Sequence, residues 1–364
     1  MKRLFVSISL ITALSLMNPA IAQVIPKFFE LLTSQSSSND FTVSDRGFVR
    51  LQLKIPSDPW SLLLIDPTGV RTVISGNTVE RYQIYPNTIE LPIGSAGTVH
   101  IESSGALKEI MWESFIPDIS GTPLFRQGGP LERIDTKFRA NPENKKIVDL
   151  SAAIVRVRWA APYLPTRWCT GVQIEPGTIL TNRHCLPPEF NVAAPKGEVV
   201  VQFGEFNNSL DDVAETIPAI VLSAIKTNNS SNIYEMDMAV LKLKNLPKSD
   251  HYRKAIVSMA STSTSGKPSL LLSIWSYDSP TGKAVSRGPL CKADLDQEAA
   301  WNCSKPIGLY HQCETEEGSS GSPIIDKITG EMIGLHYLGV APNGGNCALR
   351  IEQIRAELKS TPQQ

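Results

Sequence analysis

A serine between two glycines near the C-terminus is the residue of this chain best suited to nucleophilic chemistry. Ser320 has Gly318 two positions before it and Gly321 directly after it. A serine hydroxyl is a weak nucleophile at neutral pH, so it needs a neighbouring base and a group that orients that base. His184 and Asp237 can supply these two roles. The three residues predict a nucleophilic triad in the chain order His, Asp, Ser.

Gly318 adds a second chemical feature to this segment. Because glycine has no side chain, its backbone N–H can turn toward a substrate carbonyl oxygen. With the N–H of Ser320 it would form an oxyanion hole. Each triad residue also has an ordinary structural interpretation: a turn serine, a packed histidine and an aspartate that caps a turn. Asp211 and Asp212 compete for the third role, but they lie in a polar loop, whereas Asp237 precedes an alternating strand pattern.

The three segments resemble those of the trypsin-like serine peptidases, in the bacterial branch that includes the glutamyl endopeptidases. Residues 181–185 resemble the histidine box of the family, 237–242 its aspartate box, 318–323 its serine box, and 333–337 the strand that lines its substrate pocket. The resemblance covers residues 147–360. It implies an all-β catalytic domain of two barrels with a C-terminal helix, and an active site in the cleft between the barrels.

The rest of the chain divides by composition and pattern. Residues 1–22 combine a basic start, a short apolar run and a small-residue cleavage site, which is typical of a secretory signal. Short alternating strands over 23–115 predict a small β-sandwich-like domain, either accessory or a pro-region. Residues 116–146 are rich in Pro and Gly and predict a linker, cut or uncut. The catalytic domain is expected over 147–364.

Six cysteines in an exported chain predict disulfides, and six cysteines allow 15 pairings. The family resemblance implies Cys169–Cys185, which would brace the catalytic histidine. We further expect Cys313–Cys347, which would tie the serine loop to the far wall of the pocket. That choice leaves Cys291–Cys303. No metal site is expected, because the cysteines are not paired at ligand spacing.

The substrate pocket is predicted from the same resemblance, and its residues indicate opposite substrate preferences. Glu314 is six residues before the serine, where trypsin keeps the acid at its pocket floor, so it would favour Lys or Arg substrates. Thr315 and His336 resemble the pair that holds the substrate carboxylate in glutamyl endopeptidases, and both can donate hydrogen bonds. A surface acid and a wall histidine remain the structural alternatives.

These features predict a secreted serine endopeptidase that acts on proteins or peptides without a cofactor. The alternative is a non-catalytic binding or adhesion protein on a peptidase scaffold. A net charge of −1 and a pI near 6.5 indicate neither a nucleic acid nor an anionic membrane as partner. No later segment predicts membrane insertion, and the oligomeric state is open. Ser319 stands where trypsin-type zymogens have an aspartate, so activation is not expected to use that salt bridge.

Overall fold

The computed structural model describes residues 29–32, 38–43, 47–53, 60–75, 83–85, 88–93, 95–104, 107–114, 131–160, 167–186, 198–206, 213–224, 236–275, 282–295, 303, 308–316, 318–340 and 345–360. The predicted signal segment, the competing aspartates and the first half of the predicted linker lie outside these residues. Within the described ranges, no helix combines the length and the apolar character that a membrane crossing requires.

The N-terminal part is a sandwich of two antiparallel sheets. Its strands are β1 Phe29–Leu32, β2 Ser38–Val43, β3 Gly47–Leu53, β4 Ser61–Ile65, β5 Arg71–Ser75, β6 Gln83–Tyr85, β7 Thr88–Ile93, β8 Gly97–Ser103 and β9 Leu107–Ser114. One sheet has the order β1-β9-β3-β7-β6 and the other β2-β8-β4-β5. Leu51 of the first sheet and Leu62 of the second share one buried core. The sandwich-like domain predicted from the alternating pattern is therefore present.

The first barrel of the double-barrel unit is closed and has six strands. These are β11 Ile154–Ala160, β12 Arg167–Glu175, β13 Thr178–Thr181, β14 Glu198–Gly204, β15 Val213–Ala224 and β16 Ala239–Leu243, in the order β11-β12-β13-β16-β15-β14. Val155 and Val157 of β11 point into the barrel core, so Arg156 and Arg158 lie on its outside. A 3₁₀ turn over Arg183–Cys185 follows β13.

The second unit is an eight-stranded half-barrel. Its strands are β10 Glu132–Arg133, β17 Ser269–Trp275, β18 Gly282–Ser286, β19 Ala293–Asp294, β20 Gly308–His311, β21 Pro323–Asp326, β22 Met332–Val340 and β23 Gly345–Arg350. A core cluster joins Ile154 and Val172 of the first barrel to Leu270 and Leu272 of the second. Helix α3, Asp250–Lys254, connects the units and helix α4, Ile351–Ser360, ends the described chain. The predicted all-β, trypsin-like double-barrel fold with a C-terminal helix is confirmed.

The second half of the predicted linker over residues 116–146 contains regular structure. Residues 131–146 include β10, helix α1 Thr136–Ala140, a 3₁₀ turn over Pro142–Asn144 and the start of helix α2 Lys145–Ser151. Asp135 caps α1 by accepting a hydrogen bond from the Phe138 N–H at 2.8 Å. The elements are too short to produce a hydrophobic period in the sequence. Contacts with the second barrel hold them in place instead. We refer to residues 131–151 as the strap.

Two of the three predicted disulfides are wrong. The structure pairs Cys169 with Cys185, as expected, but pairs Cys291 with Cys313 and Cys303 with Cys347. The pairing follows from the order of strands in the sheet, in which β20 lies between β19 and β23. The spacing of cysteines along the sequence does not reveal that strand order, so it does not distinguish the observed pairs from the predicted ones.

Candidate active site

His184 and Asp237 reach the same place because of the strands that precede and follow them. In the β13–β16 pair, Thr181 is opposite Ala239. His184 follows Thr181 by three residues and Asp237 precedes Ala239 by two, so both lie beyond the same end of one strand pair. The predicted triad spacing therefore has a structural cause, because antiparallel pairing brings these two chain segments together.

Asp237 holds His184 at two points. Its Oδ1 accepts the backbone N–H of His184 at 2.9 Å, and its Oδ2 contacts the imidazole Nδ1. Asn182 donates from Nδ2 to the backbone oxygen of Asp237 at 2.8 Å and so fixes the aspartate's own segment. The aspartate is 7 % exposed, whereas the histidine side chain is 44 % exposed. The carboxylate thus fixes Nδ1 as the donor, so that Nε2 is the unprotonated nitrogen of the neutral ring.

The serine loop is attached to the first barrel through Thr170 on β12. The Thr170 N–H donates to the carbonyls of Gly318 and Ser320 at 3.0 and 2.9 Å, and its hydroxyl donates to the Gly318 carbonyl at 2.7 Å. The same hydroxyl accepts the N–H of Ile274 on β17 at 2.9 Å. One threonine therefore links both barrel units to the serine loop.

A disulfide completes the connection between the serine loop and the histidine. Cys169 directly precedes Thr170, and Cys185 directly follows His184. The bond between these cysteines joins the two segments covalently. The predicted nucleophile and the predicted base are therefore held by the same short stretch of β12.

Two glycines of the serine loop have backbone conformations that side chains disfavour. Gly318 has φ +91° and Gly321 has φ +84°. A Cβ at Gly321 would lie 2.1 Å from the carbonyl oxygen of Thr170, so only glycine fits there. Among the described residues, no acceptor receives the N–H of Gly318 or of Ser320. Within that described part of the chain, both groups thus lack the internal bonds that would compete with a substrate carbonyl.

Ser319, at the position of the zymogen aspartate in trypsin-type enzymes, is 1 % exposed and bonded within its own turn. Its Oγ accepts the N–H of Glu316 at 3.0 Å, and its own N–H donates to the carbonyl of Glu316 at 2.9 Å. A neutral hydroxyl with these local partners gives a new amino terminus no charge to pair with. That activation does not use that salt bridge stays a prediction.

The three residues predicted for the substrate pocket are all buried. Glu314 is 4 % exposed, Thr315 is 1 % exposed and His336 is 3 % exposed. The interpretation of Glu314 as a surface acid is therefore wrong. The Thr315 hydroxyl donates to Oδ1 of Asn346 at 3.1 Å, so its hydrogen already has an internal acceptor.

His336 belongs to a buried pair of histidines. Its Nδ1 lies 3.0 Å from Nε2 of His311, and the two rings meet edge to face. Burial, assisted by the charge of His184, lowers the pKa of His336 to about 3, while a hydrogen bond with the backbone of Cys347 acts in the opposite direction. His336 is thus neutral at ordinary pH and lies within electrostatic reach of the histidine–aspartate pair.

One group of potential metal ligands occurs in the described part of the chain, formed by Cys169, His184 and Cys185. The two sulfurs are bonded to each other, so neither is a thiolate that could bind a metal.

Several other residues that support the candidate site had no signal in the sequence. Thr170, Asn182, His311 and Asn346 are polar residues within strands or turns, and only the three-dimensional contacts reveal their roles.

Residues 169–335 match the family model of the trypsin-like peptidase domain. A comparison with curated proteins finds no match. Among solved structures, the active form of the Rv3671c protease from M. tuberculosis is 17% identical with a TM-score of 0.42, covering 69% of this chain and 96% of that one. The serine endoprotease from Yersinia pestis is 18% identical with a TM-score of 0.41, covering 61% and 66% of the two chains.

Proposed function

We propose, from the trypsin-like peptidase domain that residues 169–335 match, that this protein is a serine endopeptidase whose triad is Ser320, His184 and Asp237. The two-point contact between Asp237 and His184 is the observation that carries the proposal. A histidine kept only for packing does not need its ring nitrogen and its backbone N–H bound to one carboxylate.

The chemistry follows from this arrangement. Because Nδ1 of His184 faces Asp237, the opposite nitrogen, Nε2, takes the proton of Ser320 as its oxygen attacks the peptide carbonyl. His184 then gives the proton to the leaving amine, and an acyl-enzyme ester remains on the serine. The histidine next removes a proton from water, which hydrolyses the ester and restores the hydroxyl.

The N–H groups of Gly318 and Ser320 are proposed to form the oxyanion hole. Their freedom from internal acceptors in the described residues supports this role. Two such donors would stabilise the negative oxygen of the tetrahedral intermediate, and losing one typically costs on the order of 10²–10³ in rate. This cycle consists of proton transfers and covalent bonding to serine, so it requires no cofactor.

For the residue before the cut, we propose a preference for Lys or Arg. His336 is neutral and so offers no positive charge to an acidic substrate, and Thr315 already donates its hydroxyl hydrogen to Asn346. Glu314 is the acidic member of the three and is buried beside Thr315. A carboxylate there would repel a Glu substrate and pair with a cation. This preference departs from that of the glutamyl endopeptidases.

We also propose that the mature protein acts outside the cytoplasm. The signal-like residues 1–22 predict export, and three disulfides suit an oxidising compartment.

The hydrogen-bonded turn around Ser319 supports activity without a newly cut amino terminus. A chain with an added N-terminal tag on the mature protein is expected to retain full activity.

The deciding experiment is cleavage of a mixed peptide library, read by mass spectrometry, by the wild type and by Ser320→Ala. Cuts made only by the wild type would support the triad, and Lys or Arg before the cut would support Glu314 as the determinant. Cuts after Glu or Asp would reject the basic preference and favour His336 with Thr315. If neither form cleaves any peptide, the alternative of a binding protein gains support.

A further inference from the structure

Two charged side chains on the outer face of one sandwich sheet are buried, although the outer face of a two-sheet sandwich normally faces water. On β3 and β7, Leu51 and Ile89 point into the sandwich core, so Arg50 and Glu90 project from the opposite face. Yet Arg50 is 2 % exposed and Glu90 is 1 % exposed. Another part of the chain must therefore cover this face.

That cover is the first catalytic barrel. Strand β6, at the edge of the same sheet, lies against β11 and β14 of the barrel. Arg158 projects outward from β11, and its guanidinium contacts Oε1 of Glu90. The other carboxylate oxygen, Oε2, accepts from Nε of Arg50 at 2.9 Å. Glu90 thus lies between one arginine of its own domain and one arginine of the catalytic domain.

All three side chains of this cluster are almost fully removed from water. Burial, and secondarily the charge of Arg50, lowers the pKa of Arg158 to about 9, which still leaves the guanidinium charged at neutral pH. Buried charges are costly unless they are paired, so the arrangement tolerates little displacement. A cluster of this kind specifies one position of the two domains relative to each other.

The cluster also lies close to the support of the candidate active site without covering it. On β11, Arg158 follows Val157, which is directly opposite Cys169 of the histidine-bracing disulfide. Meanwhile the His184 side chain keeps 44 % of its surface exposed. The sandwich therefore contacts the barrel wall close to this disulfide and leaves the side chain of His184 partly exposed.

We propose that the N-terminal sandwich is a permanently docked part of the active protein, not a pro-region that is released, and that Glu90 determines its docking. Its partner is the β11–β14 face of the first barrel. Cutting the connection between Ser114 and Leu131 leaves both parts bound to each other. This proposal goes beyond the peptidase activity, and its primary readout is association, which does not depend on catalysis.

The first test places the recognition sequence of a site-specific protease between Ser114 and Leu131 of the full chain and cuts the folded protein. Size-exclusion chromatography is expected to give one species that contains both fragments. It should persist in about 1 M salt, because buried charges are screened much less than exposed ones. Two separate species, or a rise in peptidase activity when the fragments part, would overturn the proposal.

The second test uses Glu90→Gln in the same cut protein. This change keeps the size of the side chain but leaves Arg50 and Arg158 without their shared carboxylate. The affinity between the fragments should fall on the order of 100-fold. The matched control is Glu102→Gln, which alters a half-exposed acid of the same domain and should leave association unchanged. Equal behaviour of the two variants would overturn the role of Glu90.

A third variant covers the possibility that Glu90→Gln does not fold, which circular dichroism of the uncut chain would reveal. Arg158→Met removes the charge from the barrel side while retaining an apolar chain of similar length. It should also weaken association of the cut fragments, whereas Arg253→Met, at a partly exposed position on the catalytic domain, should not. Undiminished association with Arg158→Met would overturn the proposed cluster.

Discussion

Asp237 binds both the backbone and the ring of His184, through Oδ1 at 2.9 Å and through Oδ2. The backbone contact fixes where the histidine stands, and the ring contact fixes which nitrogen carries the proton. These two functions are separable, because an amide side chain can accept the backbone hydrogen bond but does not stabilise an imidazolium. The relationship therefore gives a direct test of the proposed mechanism.

Asp237→Asn should lower kcat on the order of 10⁴-fold, because the amide favours the wrong imidazole tautomer. KM should change little, since Asp237 is buried behind the histidine and does not reach substrate. Steady-state kinetics on the best peptide from the library would measure both constants. The control is Asp250→Asn on the exposed helix α3, which should retain full activity. A variant at 237 with near-normal kcat would reject the triad.

Gly321→Ala should distort the serine loop. The residue has φ +84°, and the added Cβ would lie 2.1 Å from the Thr170 oxygen and 2.6 Å from Oγ1 of Thr181. Gly266→Ala is a matched control, because Gly266 has φ +72° with no atom within 4 Å of the added carbon. The positive φ costs both variants about 1 kcal/mol.

The measurement compares unfolding temperature and kcat for the two glycine variants. Both should unfold at a slightly lower temperature, but only Gly321→Ala should lose most of its activity, because only that site adds a clash with the strand that holds Ser320. If the two variants lose activity equally, the close approach to Thr170 is not what positions the serine.

The sequence supplies candidates for the residues whose chemistry requires a fixed type. His184, Asp237 and Ser320 stand in recognisable segments, and the strand pair β13–β16 explains why two of them meet. The two disulfides that differ from the prediction have no such signal in the sequence, because the pairing of cysteines depends on strand order rather than on spacing. The Glu90–Arg158 contact was also hidden, since a charged residue on the outer face of a strand reads as exposed until another domain covers it.

The buried histidines should make the protein sensitive to acid. Burial, and then the charge of His336, lowers the pKa of His311 well below its usual value, and the pKa of His336 falls to about 3. In the unfolded chain both pKa values would be near 6.5. Between about pH 6.5 and pH 3 the unfolded state therefore binds more protons, so stability falls as the pH is lowered.

Denaturant unfolding at a series of pH values would measure this effect. His311→Gln should reduce the slope of stability against pH in that range, because one of the two differential protons is removed. His100→Gln is a control of opposite sign, since hydrogen bonds with Glu102 and then Asp40 raise the pKa of His100. His100 contributes stability at low pH that is lost as the pH rises, so its removal should not reduce the acid sensitivity.

The strap is expected to be an obligatory part of the catalytic domain. Arg287, which follows β18, donates to both carboxylate oxygens of Glu132 at 2.8 and 2.6 Å and to Oδ1 of Asn144 at 2.7 Å. Its guanidinium also lies 5.0 Å from the centre of the Phe138 ring. One side chain thus contacts β10, helix α1 and the turn between the two helices.

Arg287→Met should therefore lower the free energy of unfolding by about 2 kcal/mol, because it removes a bidentate ion pair and leaves Glu132 and Asn144 without these donors. Lys145→Met is the control: its ion pair with Asp149 is exposed, and its loss should cost about 0.5 kcal/mol or less. Chemical denaturation of the full chain would measure both. Equal stability of the two variants would mean that the strap is only loosely attached, and cleavage within it would then be compatible with an active enzyme.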